Sequence, residues 1–447
     1  MRTMISILTM LAAGTLCAQT TSKVWTLEEC IDYALEHNIE IKRQELGVDD
    51  SETGLSESRW DYAPSLSAGS SYSISSGRVL DQTTYEFIEN NVVGSSASVS
   101  GSMQVFSGMR RHYALKKAKA SMKASLADLE SVRQDIEMNV TAAYLQILCD
   151  QENQASAKEI ASMLESQMEK IQTMVELGRV TEVDLLQIRS QYYAALNDVV
   201  AAEGQCRLSR MELCQLLEIQ DWEDFAIEPI KADEYDGMQL FPSTDSIAIE
   251  SRPEYRSAEA GAEVARRNLQ ISRASYYPTL SLSAGYGTSY SGARQKAVQN
   301  PDGTYRYEAY PFFRQYLDNG SSYLSLSLNI PIFSGMSTRN SVRRAKNASI
   351  DAQYALQSVR KQLSREYEQA LIEYQTSCRQ YETAKEQLAY AEEAARMMTE
   401  KYNLGKTDFA SWNTAMTELA KAKYLTIQKK HIVTLTKHTI TLLIHNY

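Results

Sequence analysis

Residues Ser65-Leu66-Ser67-Ala68-Gly69-Ser70-Ser71-Tyr72-Ser73-Ile74 place Leu, Ala, Ser, Tyr and Ile at even positions, and only Ser or Gly at odd ones. A period of two puts the two sets on opposite faces of a β-strand. Three further stretches share the pattern. Ala97, Val99, Met103 and Val105 alternate with Ser96, Ser98, Ser100, Ser102 and Gln104. Leu280, Leu282, Ala284, Tyr286 and Tyr290 alternate with Ser and Gly, and Leu324, Leu326, Leu328, Ile330 and Ile332 with Ser325, Ser327 and Asn329. The pattern predicts strands over residues 64–77, 95–106, 278–292 and 321–333. Pro64 and Pro278 open their strands, where no ladder donor is lost, and Pro331 predicts a bulge near the end of the fourth.

The chain repeats itself. Tyr62-Ala63-Pro64-Ser65 answers Tyr276-Tyr277-Pro278-Thr279 at an offset of 214. Phe106-Ser107-Gly108-Met109 answers Phe333-Ser334-Gly335-Met336 at 227, and Leu177-Gly178-Arg179 answers Leu404-Gly405-Lys406 at 227 again. One offset held from Gly108 to Gly178 marks a duplicated unit, with 13 extra residues in the second copy between Gln299 and Gly320. The copies span 19–220 and 244–447, joined by a linker at 221–243.

Each strand pair runs into a segment free of Gly and Pro, 109–177 in one copy and 336–404 in the other. At the helical rise of 1.5 Å per residue, each could be a helix about 100 Å long. Leu115, Ala118, Leu129, Val132, Ile136, Val140, Ala143 and Ile147 give the first a coiled-coil seam. Val342, Ala345, Leu356, Val359, Leu363, Tyr367, Ala370 and Tyr374 repeat it in the second. Gly178 and Gly405 end these helices as left-handed caps would, and return helices follow over 182–217 and 408–446. Gly and Pro together number 27 of 447 residues, which excludes a loop-rich or Pro-rich chain. Tyr (27) outnumbers Phe (8), an excess of rings with one polar end.

Four strands cannot close a transmembrane barrel, which needs eight or more. Left open, they would expose sheet edges and an apolar face. Lipid against the apolar face and water against the Ser/Gly face resolve this, provided several chains pool their strands. A soluble sandwich could hide the apolar faces, but it has no use for 100 Å helices. Aromatic residues where strand meets helix, Trp60, Tyr62, Phe106, Tyr276, Tyr277 and Phe333, fit an interfacial belt.

Net charge is −10, and no Lys/Arg cluster is interleaved with aromatics, so nucleic acid is not the expected partner. Met1-Arg2, the apolar run Met4–Leu16 and Cys17-Ala18 read as a signal peptide over 1–18. Cys17 leaves lipid attachment open, although Gly14-Thr15-Leu16 lacks the Leu that such sites prefer three places earlier. Five cysteines remain, without a C-x-x-C pair. Mirrored about Gly178, Cys149 falls between Cys206 and Cys214, so a disulfide between helices stays open. His431, His438 and His445 recur every seven residues, about 10 Å apart and too far for one metal. No nucleophile–base pairing, metal set or cofactor motif stands out, and no enzyme activity is expected.

The duplicated order of helix, strand pair and long helix, with Phe-Ser-Gly after the second and fourth strands and Leu-Gly-Arg/Lys at the hairpin turns, resembles the TolC-like outer-membrane efflux family over essentially the whole mature chain. The resemblance implies an α+β membrane protein. Its four strands would join those of two further copies in one trimeric transmembrane β-barrel, and its coiled-coil hairpins would form a periplasmic α-barrel. It implies a passive channel in the outer membrane of a Gram-negative bacterium, serving efflux or type I secretion. Its partners would be outer-membrane lipid, a periplasmic adaptor protein and an inner-membrane transporter, with no cofactor. Loops 78–93 and 292–320 would face outside. Leu177, Gly178, Arg179, Val180 and Thr181, with Leu404, Gly405, Lys406, Thr407 and Phe409, would touch the adaptor. Asp184 and Tyr402 fall where the family ties its entrance shut, and Ser411 and Thr414 where the prototype carries an acidic ring. Leu-Gly plus a basic residue, and Thr181-x-x-Asp184, are also ordinary helix-cap chemistry. The alternative is a periplasmic coiled-coil adaptor or scaffold, which would lack a lipid-facing band.

Overall fold

The structure, a computed structural model, describes residues 24–80, 87–229, 239–242 and 248–444. The expected signal peptide, part of the linker and His445 lie outside the described residues. The chain divides into two compact units, each drawing on both repeats.

The first unit comprises residues 44–130 and 249–362. It contains a four-stranded antiparallel sheet of β2 (Ser65–Leu80), β3 (Phe87–Ser107), β5 (Thr279–Ser291) and β8 (Ser321–Asn329), in the order β2-β3-β5-β8. The repeat is kept in the register. Ser65 pairs with Ser102 in one copy and Thr279 with Asn329 in the other, which are the same positions at offsets of 214 and 227. Ser65, Ser102, Ser283 and Ser325 therefore form one row across all four strands on the small-polar face. Hydroxyl contacts lace that face, Ser65–Ser102 at 2.9 Å, Ser67–Ser100 at 3.1 Å and Ser71–Ser96 at 2.7 Å. The opposite face is apolar and uncovered along most of its length: Leu66 is 79% exposed, Leu324 75% and Leu328 60%. β2 and β8 are open edges.

Two expectations for the sheet are corrected. Residues 78–80 and 87–93, expected in an outer loop, extend β2 and β3, because the hairpin ladder continues from Arg78 opposite Glu89 to Leu80 opposite Phe87. β8 stops at Asn329, before Pro331, and the bulge lies in β3 between Gln104 and Phe106. Gln104 is the repeat counterpart of Pro331, so the irregularity sits at the expected repeat position but in the other copy. The 292–320 region is not a plain loop either. It holds a hairpin of β6 (Gln295–Gln299) and β7 (Tyr305–Ala309), then α6 (Phe312–Asp318). The fully buried Gln315 side chain fastens α6 to β5: its Oε1 accepts from Ser291 N at 3.1 Å, and its amide donates to Ser291 O at 3.1 Å.

At the foot of the sheet the Gly-Met motif has a backbone reason. Gly108 and Met109 lie at φ +60° and +67°, and Gly335 and Met336 at +58° and +66°. Two successive left-handed residues turn each strand into its helix, a conformation only the glycine adopts without cost. Those helices are α3 (Arg110–Glu176) and α7 (Ser337–Asn403), 67 residues each, or about 100 Å. α5 (Pro253–Ala274) precedes β5, and α2 (Ile39–Trp60) precedes β2.

The second unit comprises residues 1–43, 131–248 and 363–447. It holds α1 (Leu27–His37), α4 (Glu182–Leu216), α8 (Phe409–Ile444) and the far parts of α3 and α7. β1 (Val24–Trp25) pairs in parallel with β4 (Ala226–Ile227) of the linker. Tyrosines fasten the linker to the helices. Tyr144 donates to Glu228 O at 2.5 Å, Tyr367 to Pro242 O at 2.7 Å, and Tyr374 accepts from Gln239 N at 3.0 Å. The seam residues Ile136, Val140, Ile147, Leu363, Tyr367, Ala370 and Tyr374 are all buried.

Candidate functional site

Both hairpin turns close by one mechanism. After α3, Gly178 (φ +69°) donates to Val175 O and Arg179 N to Met174 O, each at 2.9 Å. After α7, Gly405 (φ +68°) donates to Tyr402 O and Lys406 N to Lys401 O, again at 2.9 Å. This is the Schellman pair of bonds at a left-handed glycine, formed identically in both repeats. Thr181 then caps α4: its Oγ1 accepts from Asp184 N at 3.3 Å, and Asp184 Oδ2 accepts from Thr181 N at 3.2 Å and from its hydroxyl at 2.6 Å. Asp408 caps α8 by accepting from Ser411 N at 2.7 Å and Ser411 Oγ at 3.1 Å. The capping reading of these residues is thus realised in full.

The turns present Leu177 (65% exposed) and Leu404 (68%) to solvent, beside exposed Arg179 and Lys406. Apolar side chains at a turn with no packing role leave a surface suited to a partner. Gly178, Thr181 and Gly405 are exposed as well, and Val180 and Thr407 are half-buried. Phe409, expected on this surface, is corrected: it is 7% exposed and belongs to the hairpin core. It opens α8 on the inward stripe Phe409, Trp412, Met416, Leu419, whose three-and-four spacing faces α3, α4 and α7.

That stripe contains the residues sequence reading passed over. Trp412 is 1% exposed, its ring stacked on Tyr402 at 5.6 Å and tilted against Phe409 at 5.6 Å. Its indole N–H donates to Thr399 Oγ1 at 3.0 Å. The signal in the sequence is the three-and-four apolar period of α8.

Asp184 and Tyr402 do not hydrogen-bond within one chain. Tyr402 is buried and its hydroxyl has no partner among the described residues, while the Asp184 carboxylate serves its cap. Burial, and then the nearby Asp184 charge, push the Tyr402 phenol up to about 12. Ser411 is committed to Asp408, and Thr414 donates to Ala410 O of its own helix at 2.9 Å.

Farther along, polar pairs bind α3 to α8. Lys423 meets Glu159 at 2.8 Å, and Lys430 meets Glu152 at 2.7 Å, with His431 Nε2 at 3.4 Å from the same carboxylate. His438 lies 3.2 Å from Thr141 Oγ1 and 3.8 Å from Glu137. The two described members of the histidine row thus have helix-to-helix partners. Among the described residues no cysteine forms a disulfide; burial pushes the Cys149 and Cys214 thiols up to about 11. The junction aromatics Trp60, Tyr62, Phe106, Tyr276, Tyr277 and Phe333 are all exposed at the foot of the sheet.

The family model described as Outer membrane efflux protein matches residues 30–217 and 246–443, one block per repeat. Alkaline protease secretion protein AprF of Pseudomonas aeruginosa is 24% identical over 266 residues, which are 56% of this chain and 50% of that protein. Pyoverdine export outer membrane protein OpmQ of the same organism is 28% identical over 225 residues, 48% of this chain and 45% of that one. The chain spans about half the length of these curated relatives. Among solved structures, CusC, a transmembrane channel, superposes with a TM-score of 0.79 at 15% identity, covering 93% of this chain and 91% of that one. At that identity the likeness is one of fold.

Proposed function

The chain belongs to the outer membrane efflux protein family, and from that premise we propose that it is the outer-membrane duct of a tripartite efflux or type I secretion system. Two copies would supply eight strands and three would supply twelve; the family implies three, joined edge to edge by β8 of one copy and β2 of the next. The helical hairpins of the trimer continue the passage into the periplasm. The duct is passive and performs no chemistry of its own; an inner-membrane transporter supplies the energy, and a periplasmic adaptor joins the two. Leu177, Arg179, Leu404 and Lys406 are the adaptor contacts, and Tyr402 with Asp184 contributes to closing the entrance.

The observation that carries this reading is the sheet. Its apolar face and both edges are bare in a single chain, and its other face is nearly all Ser and Gly. Only a closed ring with lipid outside and water inside leaves neither edge nor face unsatisfied. The test is reconstitution of the purified protein in planar bilayers. Discrete conductance steps from a heat-modifiable trimer support the reading, and a monomer recovered without detergent and without conductance overturns it. Leu177→Asp with Leu404→Asp is expected to abolish export in cells while leaving the conductance steps intact.

A further inference from the structure

Where strand turns into long helix, the local charge departs from that of the whole chain. α3 carries Arg110, Arg111, Lys116, Lys117, Lys119 and Lys123 before its first carboxylate, Asp128. α7 carries Arg339, Arg343, Arg344 and Lys346 before Asp351. A chain of net charge −10 has thus placed ten cations and no acid on the first turns of its two long helices. Part of the pattern is duplicated: at the repeat offset of 227, Lys116 answers Arg343, Lys117 answers Arg344 and Lys119 answers Lys346, whereas Lys123 answers Ile350.

Lys116, Lys119 and Lys123 form one exposed stripe on α3. With Arg256, Arg266 and Arg267 of α5 they line a cavity of about 800 Å³, in which the only acids are Glu259 and Glu263. Glu263 is engaged by Arg266 at 2.6 Å and Arg267 at 2.5 Å, and Arg256 pairs with Glu130 at 2.8 Å. None of the three lysines forms an ion pair among the described residues, and neither do Arg343 and Lys346. By helical spacing the opposite side of α3 presents Ala114, Ala118 and Ser121 together with Arg110 and Lys117, in a cavity shared with Asp50, Gly54 and Ser58 of α2. Lys116, Lys119 and Lys123 thus lie on the other side of α3 from that cavity, and Lys117 on the same side as it. The exposed aromatic belt lies next to them in sequence. Arg111 sits over the Tyr62 ring at 4.8 Å and donates to Asp61 O at 3.0 Å and to Gln104 O. Along α3, Lys116 to Lys123 lie about 9 to 20 Å beyond the helix start. Allowing for the length of a lysine and a Debye length of about 8 Å, that is within reach of a headgroup layer.

We propose that this duplicated basic belt binds the phosphates of anionic glycerophospholipids in the periplasmic leaflet and sets the depth at which the barrel rides. The inference rests on the channel reading above. A juxtamembrane cation is worth roughly fivefold in partition to an anionic surface, so removing three lysines costs on the order of tenfold to a hundredfold.

The test uses the full-length trimer in detergent, offered an equal mixture of phosphatidylethanolamine and phosphatidylglycerol, with retained lipid counted by native mass spectrometry. The wild type is expected to retain phosphatidylglycerol preferentially, and less so in high salt. The triple variant Lys116→Gln, Lys119→Gln, Lys123→Gln is expected to lose that preference at least tenfold. The charge-matched control Lys361→Gln, Lys385→Gln, Lys401→Gln keeps it. Equal retention of both lipids by the wild type, equal loss in the control, or competition by free glycerol 1-phosphate at the lipid's own concentration overturns the proposal. Single-channel conductance of all three proteins separates this failure from failure of the channel reading, since the belt is not needed for conduction.

Discussion

Gly108 and Gly335 occupy the same repeat position, yet in one chain their surroundings differ. A Cβ at Gly108 would stand 2.7 Å from Ala274 O and 2.7 Å from Tyr277 Cβ, whereas a Cβ at Gly335 would meet nothing within 4 Å. Both glycines have left-handed φ, so alanine costs about 1–2 kcal/mol at either on conformation alone. At Gly108 the clash adds about 1–3 kcal/mol, as overpacking does. If the ring closes by repeating its internal contact, Gly335 meets the next copy's counterparts of Ala274 and Tyr277. At the offset of 214 these are the Trp60 carbonyl and Ala63. Gly335→Ala is therefore expected to destabilise the assembled trimer by about as much as Gly108→Ala. The control is Gly303→Ala, at φ +85° with open space in the outer hairpin, which carries the conformational cost alone. The readout is the temperature of the trimer-to-monomer transition on semi-native gels. A Gly335→Ala shift no larger than that of Gly303→Ala refutes the argument, because it would mean that no neighbour fills the space.

Within the hairpin, Trp412→Ala is expected to cost about 3–5 kcal/mol of local packing, read as faster amide exchange at the start of α8 with the sheet unchanged. Tyr402→Phe removes a buried hydroxyl that has no partner among the described residues, so its thermal stability should equal or exceed wild type. If the hydroxyl serves the closed entrance in the trimer, the same variant shortens closed-state dwell times in bilayers; unchanged dwell times remove that role. Burial alone would raise the Glu152 carboxyl, but contacts with His431 and Lys430 outweigh it and hold the group below its ordinary 4.5. Its stabilising contribution is thus present above pH 4.5 and shrinks as pH falls toward the depressed value. The melting difference between wild type and Glu152→Gln should be larger at pH 7 than at pH 3.5, and equal differences contradict this.

The parity of the strands and the absence of helix breakers made the sheet and long helices legible, because both are local patterns of one residue after the next. The outer ends of β2 and β3 were not legible: Glu89, Asn90 and Asn91 have poor strand propensity, and only the cross-strand ladder keeps them extended. α6 was not legible because a seven-residue helix held by tertiary contacts, Gln315 with Ser291 and Tyr316 with Ser95 and Thr288, leaves no periodicity to read. At the turns, Leu177 and Leu404 were legible as exposed because they flank the cap glycines. Phe409 was not, since its position one residue past a cap says nothing of the stripe it begins. The tyrosine excess finds part of its reason in the linker, where Tyr144, Tyr367 and Tyr374 bury their rings and spend their hydroxyls on backbone groups.

Closure of the sheet between copies is open to one direct measurement. Ser100 pairs with Gly285 across the β3–β5 seam. Shifted by the two offsets, that pair becomes Ser327 of one copy against Ser71 of the next. A double variant, Ser327→Cys with Ser71→Cys, is expected to crosslink with a short bis-thiol reagent in outer-membrane fractions, giving a covalent ladder that ends at three chains. Moving one partner a residue along, to Tyr72→Cys, puts the thiols on opposite faces and is expected to abolish the crosslink. A ladder running past three chains, equal reaction in the shifted pair, or no intermolecular product would contradict a closed ring of three sheets.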